Sequence, residues 1–95
     1  MPRSSPSRLY KGKLQILAVD DDPEIRDILH EILTHLGHTS VTAEDGLDAL
    51  EKLSKHHFDM VITDLRMPRM GGIELIKKIK VGFEEVDVIA LTVYG

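Results

Sequence analysis

The stretch Phe58–Pro68, FDMVITDLRMP, limits most sharply what this chain can fold into. Val61 and Ile62 favour a strand, and the apolar run is too short and too β-branched for a helix. The run stops at Asp64. The Met67-Pro68 pair that follows delays any helix, because the residue before a proline is pushed out of the α region. A carboxylate therefore sits at the carboxyl end of a buried strand, where open α/β sheets bind their ligands.

Leu14–Val19 (LQILAV) is a second nearly continuous apolar run, the pattern of a strand buried on both faces of a parallel sheet. It ends in Asp20-Asp21-Asp22-Pro23, where Asp22 suits a helix N-cap and Pro23 the first helical position. Ile25, Ile28, Leu29, Ile32, Leu33 and Leu36 then form an amphipathic helical stripe, closed by Gly37 as a left-handed cap. Residues 39–43 (TSVTA) predict a short, more polar strand at a sheet edge. Asp45-Gly46 turns the chain into a helix marked by Leu47, Ala49, Leu50 and Leu53 and ending near Lys55. Gly71-Gly72 leads into a third helix with Ile73, Ile76 and Ile79 inward and Lys77, Lys78 and Lys80 outward. Asp87–Thr92 (DVIALT) is a fourth strand. The order β-α-β-α-β-α-β with short connections predicts a doubly wound parallel α/β sheet with right-handed crossovers.

Composition removes several function classes. A chain of 95 residues without cysteine forms no disulfide, thiolate metal site or cysteine nucleophile. No apolar run approaches the roughly 18 residues of a membrane span, and no secretory signal is present, so a cytoplasmic protein without a membrane partner is expected. Residues 1–13 hold Arg3, Arg8, Lys11 and Lys13 and read as a disordered leader; the remainder, with eight basic and 16 acidic residues, carries a charge of −8. An acidic body disfavours direct contact with nucleic acid and suits a site that collects a cation.

Asp20 and Asp21, Asp64 and Thr92 end the first, third and fourth strands. Brought to one sheet edge, the carboxylates repel, and a hard divalent cation removes the conflict. Mg²⁺ takes oxygen ligands, and carboxylates, a hydroxyl and Mg²⁺ together suit phosphoryl transfer. Two histidine features point elsewhere but are weaker. His56-His57 reads as a solvated helix end. His30-Glu31 lacks the continuation of a kinase phosphoacceptor box.

The chain resembles the receiver domain of two-component response regulators. The resemblance rests on Val19-Asp20-Asp21-Asp22, Ala43-Glu44-Asp45-Gly46-Leu47-Asp48-Ala49-Leu50, Asp64-Leu65-Arg66-Met67-Pro68-Arg69-Met70-Gly71-Gly72 and Leu91-Thr92-Val93-Tyr94-Gly95, in that order, and covers residues 14–95. It implies strand order 2-1-3-4 and Asp64 as phosphoacceptor for a sensor histidine kinase or phosphotransfer protein. It implies Mg²⁺ on Asp21, Asp64 and the backbone carbonyl of Arg66, with Asp20 acting through a bound water. Thr92 would contact the phosphoryl group and switch, while Arg66 and Tyr94 fall where the family varies its lifetime. Such a domain accepts a phosphoryl group and is not an enzyme beyond self-catalysed phosphorylation and dephosphorylation.

The family pattern continues with a further helix, strand and helix and a phosphate-pairing lysine, which are absent here; the chain reads as a fragment of a longer regulator, ahead of the alternative of a natural or engineered short form. Without them, part of one sheet face is expected to leave Leu and Ile exposed, and the open edge of strand four to invite self-association. The competing functions are a pseudo-receiver that serves only as an interaction module and an Asp-nucleophile phosphohydrolase. The latter needs an acid two residues after the nucleophile, where this chain has Arg66.

Overall fold

Among the described residues, seven elements form where the apolar patterns place them. The computed structural model describes residues 12–67 and 69–91. They comprise β1 (Gln15–Val19), α1 (Pro23–His35), β2 (Thr39–Ala43), α2 (Gly46–Lys55), β3 (Met60–Asp64), α3 (Gly72–Gly82) and β4 (Asp87–Leu91). Most of the expected leader, Pro68, Thr92 and Tyr94 lie outside the described residues.

The helix starts follow from side-chain capping. Asp22 accepts the Glu24 N–H and places Pro23 at the first turn, where its missing N–H costs nothing. Asp45 accepts the Asp48 N–H at 2.8 Å, and the Asp48 carboxylate in turn accepts the Glu44 N–H at 3.1 Å. The expected turn at Asp45-Gly46 is thus the N-cap and first residue of α2. After α1, Gly37 adopts φ 96°, a left-handed conformation that a Cβ would strain.

The four strands are parallel, in the order β2-β1-β3-β4. β1 and β3 are central, which explains their continuous apolar runs: Ile16 to Val19 are all buried. β2 is an edge strand, as its polar character predicts. Helices α2 and α3 pack on one face, where Leu17, Val19, Ala49, Leu53, Val61, Leu75 and Ile79 form the main core. On the other face α1 covers Ile16, Ala18 and Ile62 with Leu33. Each fully buried side chain of this size stabilises the fold by roughly 1.5–3 kcal/mol.

Two helices differ from their expected faces. In α3 Ile73 is 59% exposed, whereas Leu75 and Ile79 are fully buried. Six residues of helix turn through about 600°, so Ile73 and Ile79 point roughly 120° apart and do not share one face of the helix. Leu75 and Ile79, four apart, do. In α1 the stripe is only half used: Leu33 is buried and Ile25 and Leu29 are half-buried. Ile28, Ile32 and Leu36 remain exposed, because among the described residues no second element packs against that flank.

Candidate functional site

The parallel register decides which side chains meet. Val19 pairs with Thr63, so Asp20 leaves β1 beside Asp64, the last residue of β3. The chain runs from β1 outward to β2 and then crosses back to β3, which makes the β1–β3 boundary a topological switch point with an open crevice at the carboxyl ends. The Asp20 N–H is fixed to the Ala43 carbonyl at 3.1 Å, and its own carbonyl accepts Arg26 Nη1 at 2.8 Å. The acidic turn is thereby tied to both β2 and α1.

Carboxylate oxygens of Asp20, Asp21 and Asp64 all lie within 4.8 Å of one another. Their environments differ. Asp20 is only 5% exposed, Asp64 is half-buried and Asp21 is exposed. Burial pushes the Asp20 carboxyl above its ordinary value; the Asp22 N–H, 2.9 Å from Oδ1, opposes the rise, and the charges of Asp64, Asp21 and Asp22 add to it. Asp64 is engaged differently. Its backbone carbonyl accepts Thr63 Oγ1 at 2.9 Å, but among the described residues its Oδ1 receives only the Arg66 N–H, at a long 3.4 Å. The main chain is held while the carboxylate remains available.

The loop after Asp64 folds back tightly. The Gly72 N–H donates to the Leu65 carbonyl at 3.0 Å. A Cβ at Gly72 would lie 2.8 Å from Leu65 Cα and overlap the Asp64 carbonyl, so this position admits no side chain without moving the site. Gly72 is therefore a packing residue rather than part of a phosphate cradle.

An all-oxygen set of three converging carboxylates, one almost buried and one open to solvent, fits a hard cation such as Mg²⁺. The Arg66 backbone, bonded to Asp64 Oδ1, stands beside the same cluster. Asp20, Asp21, Asp64 and Arg66 are thus brought together, whereas Thr92 and Tyr94 fall outside the described residues. His30, His56 and His57 are exposed and stand apart from this cluster.

The response regulator receiver domain model matches residues 16–95. The chain belongs to that family. This receiver is 41% identical over 81 residues to the sporulation initiation phosphotransferase F of Bacillus subtilis, an alignment covering 85% of this chain and 65% of that protein, just under two thirds of its length. It superposes on the response regulator TrrA of Thermotoga maritima, solved with Mg²⁺-BeF, with TM-score 0.82 and 39% identity over 86% of this chain and 71% of the other. A structure of the histidine kinase ThkA in complex with TrrA gives TM-score 0.80 and 39% identity, with the same coverage.

One charged pair at this edge of the receiver was not anticipated. Arg69 Nε donates to Asp45 Oδ2, joining the loop after β3 to the start of α2. The guanidinium holds the Asp45 carboxyl below the usual carboxylate range, and the Asp48 N–H adds to this against the effect of burial. The residues are 24 positions apart, and only the fold brings them together. The N-cap position of Asp45 was the one local signal available.

Proposed function

We propose that this receiver takes a phosphoryl group on Asp64 from a phosphohistidine of a sensor histidine kinase or phosphotransfer protein. The observation that carries the reading is the cluster of three carboxylates at the β1–β3 switch point, with the Asp64 carboxylate lightly engaged. In the transfer an Asp64 carboxylate oxygen attacks phosphorus. The new O–P bond forms as the P–N bond to the donor imidazole breaks, and the imidazole nitrogen keeps the electron pair. The product is an acyl phosphate at the carboxyl edge of the sheet.

Asp21, Asp64 and the carbonyl of Arg66 would hold Mg²⁺, with Asp20 acting through a water. When bound, the ion would offset negative charge on the phosphoryl oxygens. The Arg66 N–H helps to orient the Asp64 carboxylate, and Thr92 is assigned the phosphoryl contact by its place after β4. The new charge then biases a two-state surface, the physical basis of such a switch. For the relative TrrA, one structure holds Mg²⁺-BeF and another a histidine kinase, which supports both halves of the reading. Among the described residues no helix is long and apolar enough to cross a membrane.

Incubation with Mg²⁺ and acetyl phosphate, followed by intact-mass measurement, tests the proposal. A single phosphate adduct that disappears in Asp64→Asn supports it. No adduct on the wild-type chain would overturn it in favour of an interaction module without phosphorylation. Turnover of the donor with no adduct would point to a hydrolase. We also propose self-association through β4, the outermost strand among the described residues, with Ile89 exposed on it. Sedimentation showing a monomer at every concentration would remove that proposal.

A further inference from the structure

The segment that follows Asp64 is pinned at its far end by contacts that the phosphoacceptor reading does not use. Met70 is buried and packs on Gly46, the first residue of α2: a Cβ there would come within 2.7 Å of Met70 Cβ and Cγ and 2.9 Å of its carbonyl oxygen. One residue earlier, Arg69 reaches Asp45. That carboxylate is a fixed anchor, 4% exposed, with Oδ1 already held by the Asp48 N–H at 2.8 Å. The Arg69 side chain is more than half exposed, so it is an arm laid over the surface onto a rigid anion. Between this anchor and Asp64 lies Arg66, whose N–H touches Asp64 Oδ1 at 3.4 Å.

We propose that Asp45 and Arg69 form a latch that holds the loop after β3 against α2, and so positions the Arg66 backbone beside the Asp64 carboxylate. The inference rests on the phosphoacceptor reading above and assigns both as positioning residues for that transfer. The physical reason is geometric. An attacking carboxylate must be presented in one orientation, and the backbone that orients it sits on a short loop with no regular hydrogen-bond ladder. Tying the loop's far end to a helix start removes conformations in which the Arg66 N–H and carbonyl turn away from the site. Small misplacements of such groups are costly in rate even far from the reacting atoms. The packing of Met70 on Gly46 alone holds the loop down but does not fix its rotation, whereas a directional ion pair does.

The test compares wild type with Arg69→Gln, Asp45→Asn and the double variant. Asparagine caps a helix as well as aspartate, so Asp45→Asn removes the charge and keeps the N-cap. Arg69 is exposed enough for glutamine to be accommodated. With acetyl phosphate and saturating Mg²⁺, each single variant should form the Asp64 adduct about three- to tenfold more slowly. The double variant should be no slower than either single one, because the two residues act as a pair. Arg69→Lys, which restores the charge, should recover part of the rate. Amide hydrogen exchange across residues 65–67 should accelerate in both single variants. Wild-type rates in folded variants would overturn the latch, and so would independent, multiplying effects in the double variant. If the wild-type chain takes no phosphate, the phosphoacceptor reading fails by itself. The latch is then judged by amide exchange, and unchanged protection of residues 65–67 in Arg69→Gln and Asp45→Asn overturns it.

Discussion

Asp59 and Asp64 flank the same strand and have opposite fates. Asp59, just before β3, accepts the Gln15 N–H on Oδ2 at 2.8 Å and faces His57 Nε2 across 3.2 Å with Oδ1. Its backbone joins both neighbouring strands, donating to Gln15 and accepting from Asp87. Asp64, at the other end, has among the described residues one long N–H contact and two carboxylate neighbours. A structural aspartate has its lone pairs committed to short bonds from its own chain. The Asp64 oxygens instead face like charge, a repulsion that an external cation can relieve. Asp45 sharpens the contrast. It lies at the same carboxyl edge as Asp64, yet both its oxygens are occupied, by Asp48 and Arg69. Position at the edge is thus insufficient; freedom of the carboxylate decides.

The largest effect that could break this comparison is chemical. Asp64→Asn should abolish the phosphate adduct completely, while Asp59→Asn should retain it at the wild-type level, both read by intact mass. An adduct that follows Asp59 would reverse the assignment.

Metal comes next. Saturating Mg²⁺, at about 100 times its dissociation constant, should stabilise wild type by roughly 2.7 kcal/mol in urea unfolding. The gain should persist in Asp59→Asn and vanish in Asp21→Asn. Equal gains in all three would place the ion elsewhere.

Asp59→Ala should cost about 1–3 kcal/mol in metal-free urea unfolding, since it strands the Gln15 N–H. Asp64→Asn should cost nothing or raise stability, because it removes one of three crowded charges. A loss in Asp64→Asn as large as in Asp59→Ala would show that Asp64 is structural as well.

The smallest effect is on acid sensitivity. The Asp45 carboxyl is held below its ordinary value of 3.8 in the fold, so its ionised form stabilises the native state. That contribution is fully present above the ordinary value and is lost as pH falls through the lower folded value. Asp45→Asn should therefore flatten the stability profile below about pH 4 and leave it unchanged in shape near neutrality.

Much of this was legible before the fold. Continuous apolar runs marked β1 and β3 as central strands, and the Asp-Pro step marked the start of α1, because both signals are local and strong. The convergence of Asp20, Asp21 and Asp64 was legible because they end two neighbouring buried parallel strands. Side-chain faces were read less well. The i, i+3 spacing of Ile73, Ile76 and Ile79 suggested an inward stripe, but Leu75 takes the core position, since a helix drifts round its axis and only the sheet decides where its face begins. Asp45 was taken for a turn because its partner, Arg69, carries no local pattern at all.

The alternation of strands and helices, the parallel sheet and the acidic constellation at its carboxyl edge are written in the order of the residues. These follow from periodicity and from short-range sterics, which neighbouring residues set. The fold sets which side chains are engaged: among the described residues Asp59 and Asp45 are committed, Asp64 has one long contact, half of the α1 stripe is uncovered, and Arg69 reaches α2. The pairings Gln15–Asp59 and Asp45–Arg69 span 44 and 24 positions. They depend on strand register and on which helix packs where, quantities that no local stretch of chain encodes.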